Sequence, residues 1–318
     1  MALLLMLISC SADDAGYAAD NTVHLAGFVD NGTDGGLASY WKDGVVTHLT
    51  EEHIASKATS LYIENRTVVI GGLRRDEFPR AIIWKDGIGT IIGDSYGGRT
   101  LALSRNGNLY AVWRHADGGW LLLKEGVTQP LLDTAYNLEA TGVTLAGDNL
   151  YIGGNALEPN SEGKQHAQIW QNGQLIFREP RVSYAASIFV HDDNIYLGGF
   201  LYSNTEPNIA CYWKNQKRID LTDGSVNAIV RSVFVTDDHV YAAGMINDQA
   251  VYWKDDVVTL LTSGDNYSMA NAIFIKGEDV HVAGYEHGHP AYWRNDVKQP
   301  LENEDQRGQI YFLAVGSN

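Results

Sequence analysis

The chain has 318 residues, of which 45% are hydrophobic, so it can bury a sizeable core and is not expected to be disordered. The 23 Lys and Arg residues against 39 Asp and Glu give a formal net charge of −16, which opposes binding to phosphate backbones and to anionic bilayers. We therefore expect no nucleic-acid partner. Cys10 and Cys211 are the two cysteines of the sequence, so no disulfide framework is expected.

Residues 1–10, MALLLMLISC, form an apolar run too short to span a bilayer as a mature helix. The end of this leader, LISC at residues 7–10, resembles the lipobox of bacterial lipoproteins. The resemblance implies that Cys10 is lipidated and becomes the new N-terminus of an extracytoplasmic protein of the cell envelope or surface. A plain secretory signal or an uncleaved apolar N-terminus is the alternative. Residues 11–20 are then a flexible tether, and membrane contact is expected only through the lipid.

An apolar strand that ends in small residues recurs seven times, and a second apolar run follows each copy. One position of the second run is almost always Trp, and successive copies are 39 to 47 residues apart. A period near 40 residues is typical of propellers and arrays. The residues at this position are Trp41, Trp84, Leu123, Trp170, Trp213, Trp253 and Trp293.

Each repeat contains four predicted strands. Asp-Gly, Glu-Gly or Asn-Gly follows the Trp position in four copies and favours a tight hairpin turn. A further apolar strand precedes each small-residue strand, except that the first copy lacks it and the chain ends with an orphan strand at 309–315. The sequence therefore predicts an all-β, seven-bladed β-propeller over residues 21–318. It has four antiparallel strands per blade, and the C-terminal strand completes blade one.

Double glycines end the small-residue strand at 71–72, 153–154 and 198–199, and a Tyr-Trp pair stands on the following strand in several copies. This pattern resembles kelch-type propeller repeats and implies the same fold. We interpret the repeated Trp residues as core and the glycines as places where backbones approach closely near the axis. Cys211 takes a position that is Val251 in a sister copy, so we expect a buried thiol.

Residues that differ between copies are better candidates for function, because loops on a rigid scaffold carry binding sites. The loops between blades and those after each small-residue strand share one face, whereas near-identical hairpin turns such as 42–44 and 85–87 form the other. Tyr and Arg suit stacking on sugars or peptides and hydrogen bonding to them, and half-buried loop anchors are the alternative role for the tyrosines. The predicted ligand-binding residues are Tyr96, Arg99, Tyr184, Tyr267, Tyr285 and His287.

The sequence contains no Walker loop, no Rossmann fingerprint, no nucleophile elbow, no His-Glu-x-x-His and no EF-hand. His287 and His289 alternate on an extended segment, but no third ligand follows at metal-site spacing, so no metal and no cofactor are expected. We expect a monomeric, non-catalytic binding scaffold for a glycan, peptide or protein. The alternative is a propeller enzyme of the glycoside hydrolase or lyase type, with a carboxylate or His site at the channel mouth. Its candidate carboxylates are Asp76, Glu77, Asp94, Asp133, Glu158, Glu206 and Asp265.

Overall fold

The computed structural model describes residues 20–32, 35–131, 137–157, 164–264 and 267–316. Its 28 strands form seven four-stranded antiparallel sheets, one per blade, which confirms the predicted fold class. Blade one contains β28 (Gly308–Val315), β1 (Val23–Val29), β2 (Leu37–Lys42) and β3 (Val45–His48). Blade two contains β4 (Ala55–Glu64), β5 (Thr67–Arg75), β6 (Pro79–Lys85) and β7 (Ile88–Asp94). Blade three contains β8 (Thr100–Arg105), β9 (Asn108–Arg114), β10 (Trp120–Lys124) and β11 (Val127–Pro130).

Blades four to seven follow in chain order, each from the inner strand outwards. Blades four and five contain β12 (Asn137–Ala146), β13 (Asn149–Leu157), β14 (Gln165–Gln171) and β15 (Gln174–Arg178), then β16 (Ser183–His191), β17 (Asn194–Leu201), β18 (Ile209–Lys214) and β19 (Lys217–Asp220). Blades six and seven contain β20 (Ala228–Val235), β21 (Val240–Ile246), β22 (Gln249–Lys254) and β23 (Val257–Leu260), then β24 (Ser268–Lys276), β25 (Asp279–Glu286), β26 (His289–Arg294) and β27 (Val297–Gln299). No helix among the described residues is long and apolar enough to cross a membrane.

The C-terminal strand β28 closes the ring. It pairs antiparallel with β1 as the inner strand of blade one, as the orphan strand in the sequence predicted. Ile310, Leu313 and Val315 of β28 are buried in one hydrophobic cluster with Leu25 and Trp41 of the same blade. The two chain ends are therefore joined through shared core as well as through backbone hydrogen bonds.

The repeated Trp residues lie in the core, as predicted. Blade three lacks a Trp at the repeated position and buries two other Trp residues instead. Six of the seven positions hold a Trp that is at most 2% exposed. In blade three, where Leu123 takes the position, Trp113 of β9 is fully buried and its ring lies against Gly93 of blade two. Trp120 of β10 donates its indole N–H to the Leu138 carbonyl of blade four at 2.6 Å. Two indoles in new positions thus fill the blade interfaces.

The Asp or Asn that opens each hairpin turn has a second role besides adopting a positive φ. Its side-chain oxygen accepts an N–H from the first or second residue of the blade's second strand, as in Val68 to Asp86 at 2.9 Å and Ile195 to Asn215 at 2.9 Å. The same bond recurs in six blades. Blade three has Glu125 at this position, with φ 53°. The repeated Asp or Asn therefore ties the outer hairpin back to the inner half of the blade.

The repeated glycines of the second strands, such as Gly72 and Gly244, are required by β-bulges in the inner strands. Among the seven described inner strands, six have a bulge opposite this glycine. A Cβ at Gly244 would overlap the carbonyl oxygen of Ile229, two residues before the bulge. In blade three, Trp113 replaces the glycine and β8 pairs without a bulge. The predicted close approach is thus to a bulged neighbour within the blade. The extra residues are Thr59, Thr141, Ala186, Arg231, Asn271 and Tyr311.

Candidate functional site

A cavity of about 250 Å³ runs along the axis and is lined by the inner strands of all seven blades. We call its two openings the loop end, on the face of the between-blade loops, and the hairpin end. Phe189, Phe234 and Phe274 line the cavity towards the hairpin end, and the ring centroids of successive phenylalanines are 4.9 Å apart. The hairpin end is therefore apolar, because three aromatic rings lie in contact there.

The loop end is polar and contains two guanidinium groups. Arg99, which directly precedes β8, and Arg231, the bulge residue of β20, both line the cavity, together with Asn271 and Tyr311. Burial lowers the pKa of Arg99, and the charge of Arg231 nearby lowers that pKa further. Two positive charges therefore line the same partly enclosed cavity, where they repel each other.

Neither guanidinium has a carboxylate partner within 4.0 Å among the described residues. Arg99 Nη1 donates a long hydrogen bond of 3.4 Å to the Thr141 carbonyl, and Arg231 lies near enough to Tyr184 for its charge to lower the pKa of that phenol. Glu139, an exposed residue of β12, is the acidic group that acts on Arg99 from nearby. The loop end is thus a positively charged region of a chain whose formal net charge is −16.

Tyrosines surround this pair of arginines. Burial raises the pKa of Tyr184, and the negative charge of Glu139 adds to the increase. Burial also raises the pKa of Tyr285, with a further contribution from its hydrogen bond to Tyr267. Each phenol therefore stays protonated at neutral pH and is available as a hydrogen-bond donor and acceptor. The Tyr267 and Tyr285 ring centroids are 5.2 Å apart.

The rim of the loop end has an apolar half and a polar half. The inner-strand position two residues before the bulge, or its equivalent in blade three, marks this rim in every blade. Blades five to seven place aromatic or aliphatic residues there, and these pack with Phe200, Met245 and Tyr285 of the second strands. Blades one to four place amide or charged residues there. From blade one to blade seven the residues are Gln309, Lys57, Arg99, Glu139, Tyr184, Ile229 and Met269.

A groove on the loop face continues outwards from the apolar half. It has a volume of about 720 Å³ and lies between the loops of blades four and five. The Tyr184 ring stacks on Phe200 with centroids 5.4 Å apart, and Tyr202 beside them is exposed. Tyr184 lines the groove and also lies near Arg231, which lines the axial cavity, so it connects the groove with that cavity.

Four predicted residues, Arg99, Tyr184, Tyr267 and Tyr285, lie around Arg231. Tyr184 and Tyr285 are inside strands instead of loops, because the inner strand β16 begins before its apolar segment and the second strand β25 continues beyond its small residues. No described contact joins the other two to this cluster. Tyr96 is exposed with the Arg114 guanidinium 4.7 Å from its ring centroid, and His287 is an exposed turn residue.

Sequence reasoning missed Arg231, Asn271 and Tyr311. The signal for Arg231 is a single charge inside the apolar strand AIVRSVFV, at the extra residue that a glycine opposite predicts. Cys211 is buried, as expected. The lipid site Cys10 and the candidate carboxylates Asp133, Glu158 and Asp265 lie outside the described residues.

The described residues also contain one group of three potential metal ligands away from the loop face. His191, Asp192 and Asp237 offer ligand atoms within 4.8 Å of one another. His191 ends β16, and Asp192 and Asp237 lie in the turns after β16 and β20, at the hairpin end of blades five and six. The arrangement is exposed and includes an ordinary surface pair, His191 Nε2 to Asp237 Oδ1 at 3.0 Å.

Comparisons with known proteins show similarity of fold. No family model and no curated protein matches the chain, so the predicted likeness to kelch-type repeats stays a prediction. A solved structure described as YCF48 bound to D1 peptide is 13% identical, with a TM-score of 0.51, and the match covers 94% of each chain. A chain of a mitotic checkpoint complex is 12% identical with a TM-score of 0.52, and the match covers 82% of this chain and 87% of that chain.

Proposed function

We propose that this propeller is a non-catalytic scaffold that binds a segment of another protein across the loop end of its axial cavity. The carrying observation is an aromatic groove, lined by Tyr184, Phe200 and Tyr202, beside two arginines without a carboxylate partner among the described residues. An extended peptide has both kinds of group to offer, namely apolar side chains and charged or amide groups. Aromatic and Arg residues are also the side chains that most often dominate binding energy at protein interfaces.

The groove beside Tyr184 is the proposed contact for apolar side chains of the segment. Tyr184 and Phe200 form its floor, and the exposed Tyr202 forms one side. Rigid aromatic rings lose little conformational entropy on binding, because each has only two side-chain torsions. The two similar solved structures are a peptide complex and a protein assembly by their descriptions, which supports the choice of a protein ligand over a glycan.

A random peptide library tests this proposal. The full chain is immobilised, binders are selected, and the affinity of one selected peptide is measured by calorimetry for the wild type and for variants. We expect Tyr184→Ala and Phe200→Ala to weaken binding by about tenfold or more each, the usual effect of losing an aromatic hot spot. The matched control is Tyr110→Ala, because Tyr110 lies at the opposite end of blade three.

Two results would contradict the proposal. Unchanged affinity in both variants would move the site elsewhere, and a loss of affinity that accompanies a lowered melting temperature would make these rings structural anchors. A parallel glycan array addresses the alternative ligand. Glycan binding that Tyr184→Ala abolishes, in the absence of any peptide binder, would assign the same surface to sugars.

We also propose that the scaffold is held at the cell envelope, outside the cytoplasm, by a lipid on Cys10. The support is the leader sequence MALLLMLISC. Mass spectrometry of the protein from its native host is expected to find a thioether-linked lipid on an N-terminal Cys10. The Cys10→Ser variant should fold normally but should no longer be found in the membrane fraction. A mature protein that begins at another residue, or an unmodified Cys10, would contradict lipidation.

A further inference from the structure

The two arginines of the axial cavity are placed to bind an anion. Arg99 and Arg231 line one cavity of about 250 Å³. Among the described residues, no carboxylate lies within 4.0 Å of either guanidinium. Two like charges in a partly enclosed site repel each other, and an anion between them would relieve that repulsion. A guanidinium offers a planar fork of N–H donors that matches the two oxygens of a carboxylate.

The shape of the cavity selects the kind of carboxylate. Seven inner strands surround the axis, and phenylalanine rings line the cavity towards the hairpin end, so an anionic group meets the arginines directly only from the loop end. An internal Asp or Glu would require the ligand chain to enter and leave through the same opening. A chain end requires one extended segment. The volume is that of about eight water molecules, enough for a terminal residue and part of the next.

The remaining polar groups at the loop end fit a terminal carboxylate and the peptide unit before it. Tyr311 and Asn271 line the same cavity, and Asn271 is held in place by donating its side-chain N–H to the Ile310 carbonyl at 2.9 Å. Lys57 on the rim adds a positive charge, and its ammonium group lies 4.6 Å from the Phe28 ring centroid. The groove beside Tyr184 then receives the preceding residues of the ligand.

We propose that the propeller recognises the free C-terminus of its protein ligand, whose carboxylate binds between Arg99 and Arg231 in the axial cavity while the residues before it lie in the Tyr184–Phe200 groove. This inference builds on the proposed function and specifies which part of the partner is bound. Affinity comes from the apolar groove, and the two arginines select a chain end.

Two peptide mixtures that differ in one chemical group test the inference. Random N-acetylated octapeptides are prepared with a free C-terminal acid or with a C-terminal amide, and peptides retained by the full chain are quantified by mass spectrometry. We expect retention of the acid mixture to exceed that of the amide mixture by about tenfold or more, because a hydrogen bond to a charged group is lost in the amide. Arg99→Gln and Arg231→Gln should each abolish this preference.

Control variants separate recognition from folding. Arg218→Gln removes an arginine that pairs with Asp220 on an outer strand, away from the cavity, and should keep the full acid preference. Arg99→Lys keeps the charge and loses the planar fork, so it should retain only part of the preference even if Arg99→Gln fails to fold. Glu139→Gln removes the acidic group beside Arg99 and should strengthen retention of the acid mixture by about two- to fivefold.

The outcomes distinguish this inference from the proposed function. Equal retention of both mixtures, with both weakened by Tyr184→Ala, would overturn C-terminal recognition and leave peptide binding intact. Equal retention combined with enrichment of internal Asp or Glu would assign the arginines to acidic side chains and would also overturn it. Retention of neither mixture would contradict the proposed function itself. An acid preference that survives both Gln variants would place the carboxylate elsewhere.

Discussion

Removal of the C-terminal strand should unfold the whole ring. A chain truncated after residue 307 lacks β28, whose Ile310, Leu313 and Val315 are buried in the core of blade one. Burial of such side chains contributes about 1.5–3 kcal/mol each, and the three together contribute about 5–9 kcal/mol. Because a domain has a free energy of unfolding of only about 5–15 kcal/mol, this loss removes most of it. The truncation also leaves the apolar edge of β1 open to aggregation.

The assay is urea unfolding followed by tryptophan fluorescence, with size-exclusion chromatography to detect aggregates. We expect the truncated chain to be aggregated or to show no cooperative transition. The matched control is deletion of residues 11–19, which fall outside every repeat and precede Asp20, whose carbonyl accepts a hydrogen bond from Lys276 at 2.7 Å. Equal stability of the two deletions would refute closure of the ring by β28.

Three further substitutions test the local rules of the repeat. Gly244→Ala should lower the free energy of unfolding by about 1–3 kcal/mol in urea melts, because its methyl group meets the Ile229 carbonyl and forces the bulge to shift. Asp86→Ala should cost about 1 kcal/mol in the same melts, because the Val68 N–H at the start of β5 loses its side-chain acceptor. Burial lowers the pKa of His281 to about 4, so the unfolded chain binds more protons between pH 6.5 and 4 and stability should fall by up to about 3 kcal/mol as the pH is lowered through that window.

Each substitution has a control within the same chain. Ala243→Gly changes a neighbouring residue without adding atoms, so it should lack the clash of Gly244→Ala. Glu125→Ala alters the equivalent turn of blade three, which lacks the strand cap, and should be closer to neutral than Asp86→Ala. A His281→Asn variant should flatten the dependence of stability on pH between 4 and 6.5. An equal loss of unfolding free energy in Gly244→Ala and Ala243→Gly would contradict the role of the glycine at the bulge. An equal loss in Asp86→Ala and Glu125→Ala would contradict the role of the Asp86 side chain as a strand cap. An unchanged dependence of stability on pH in His281→Asn would contradict the assignment to His281.

The sequence predicted the ring because repetition encodes it directly. Recurring Trp residues, turn glycines and an orphan terminal strand each have a single structural solution when seven copies must close on themselves. The sequence was less informative about the bulges, because the extra residue lies in the inner strand while its cause, the glycine at 244 for example, lies in the second strand. Pairing between strands must be known before the two are connected.

The candidate site shows the same limit. Arg99 and Tyr184 were identified because they lie close to loops that vary between copies. Arg231 was missed because it lies inside a strand that otherwise resembles its sister copies, and only the bulge places it at the cavity. Tyr96 and His287 were included because they share a face with the others. The sequence shows that Tyr96 and His287 lie on the loop face, but it does not show how far a side chain lies from the axis or what it contacts. The sequence alone therefore does not distinguish these two residues from Tyr184.

Hydrogen–deuterium exchange tests whether a peptide binds at the loop end of the axial cavity. The full chain is compared with and without a saturating free-acid peptide selected from the random library. We expect slower amide exchange at the loop end, concentrated in residues 183–186, 200–203 and 229–232, with no change in the hairpin turns at 42–44 and 85–87. Protection confined to those turns, with none near Tyr184 or Arg231, would contradict binding at the loop end of the cavity.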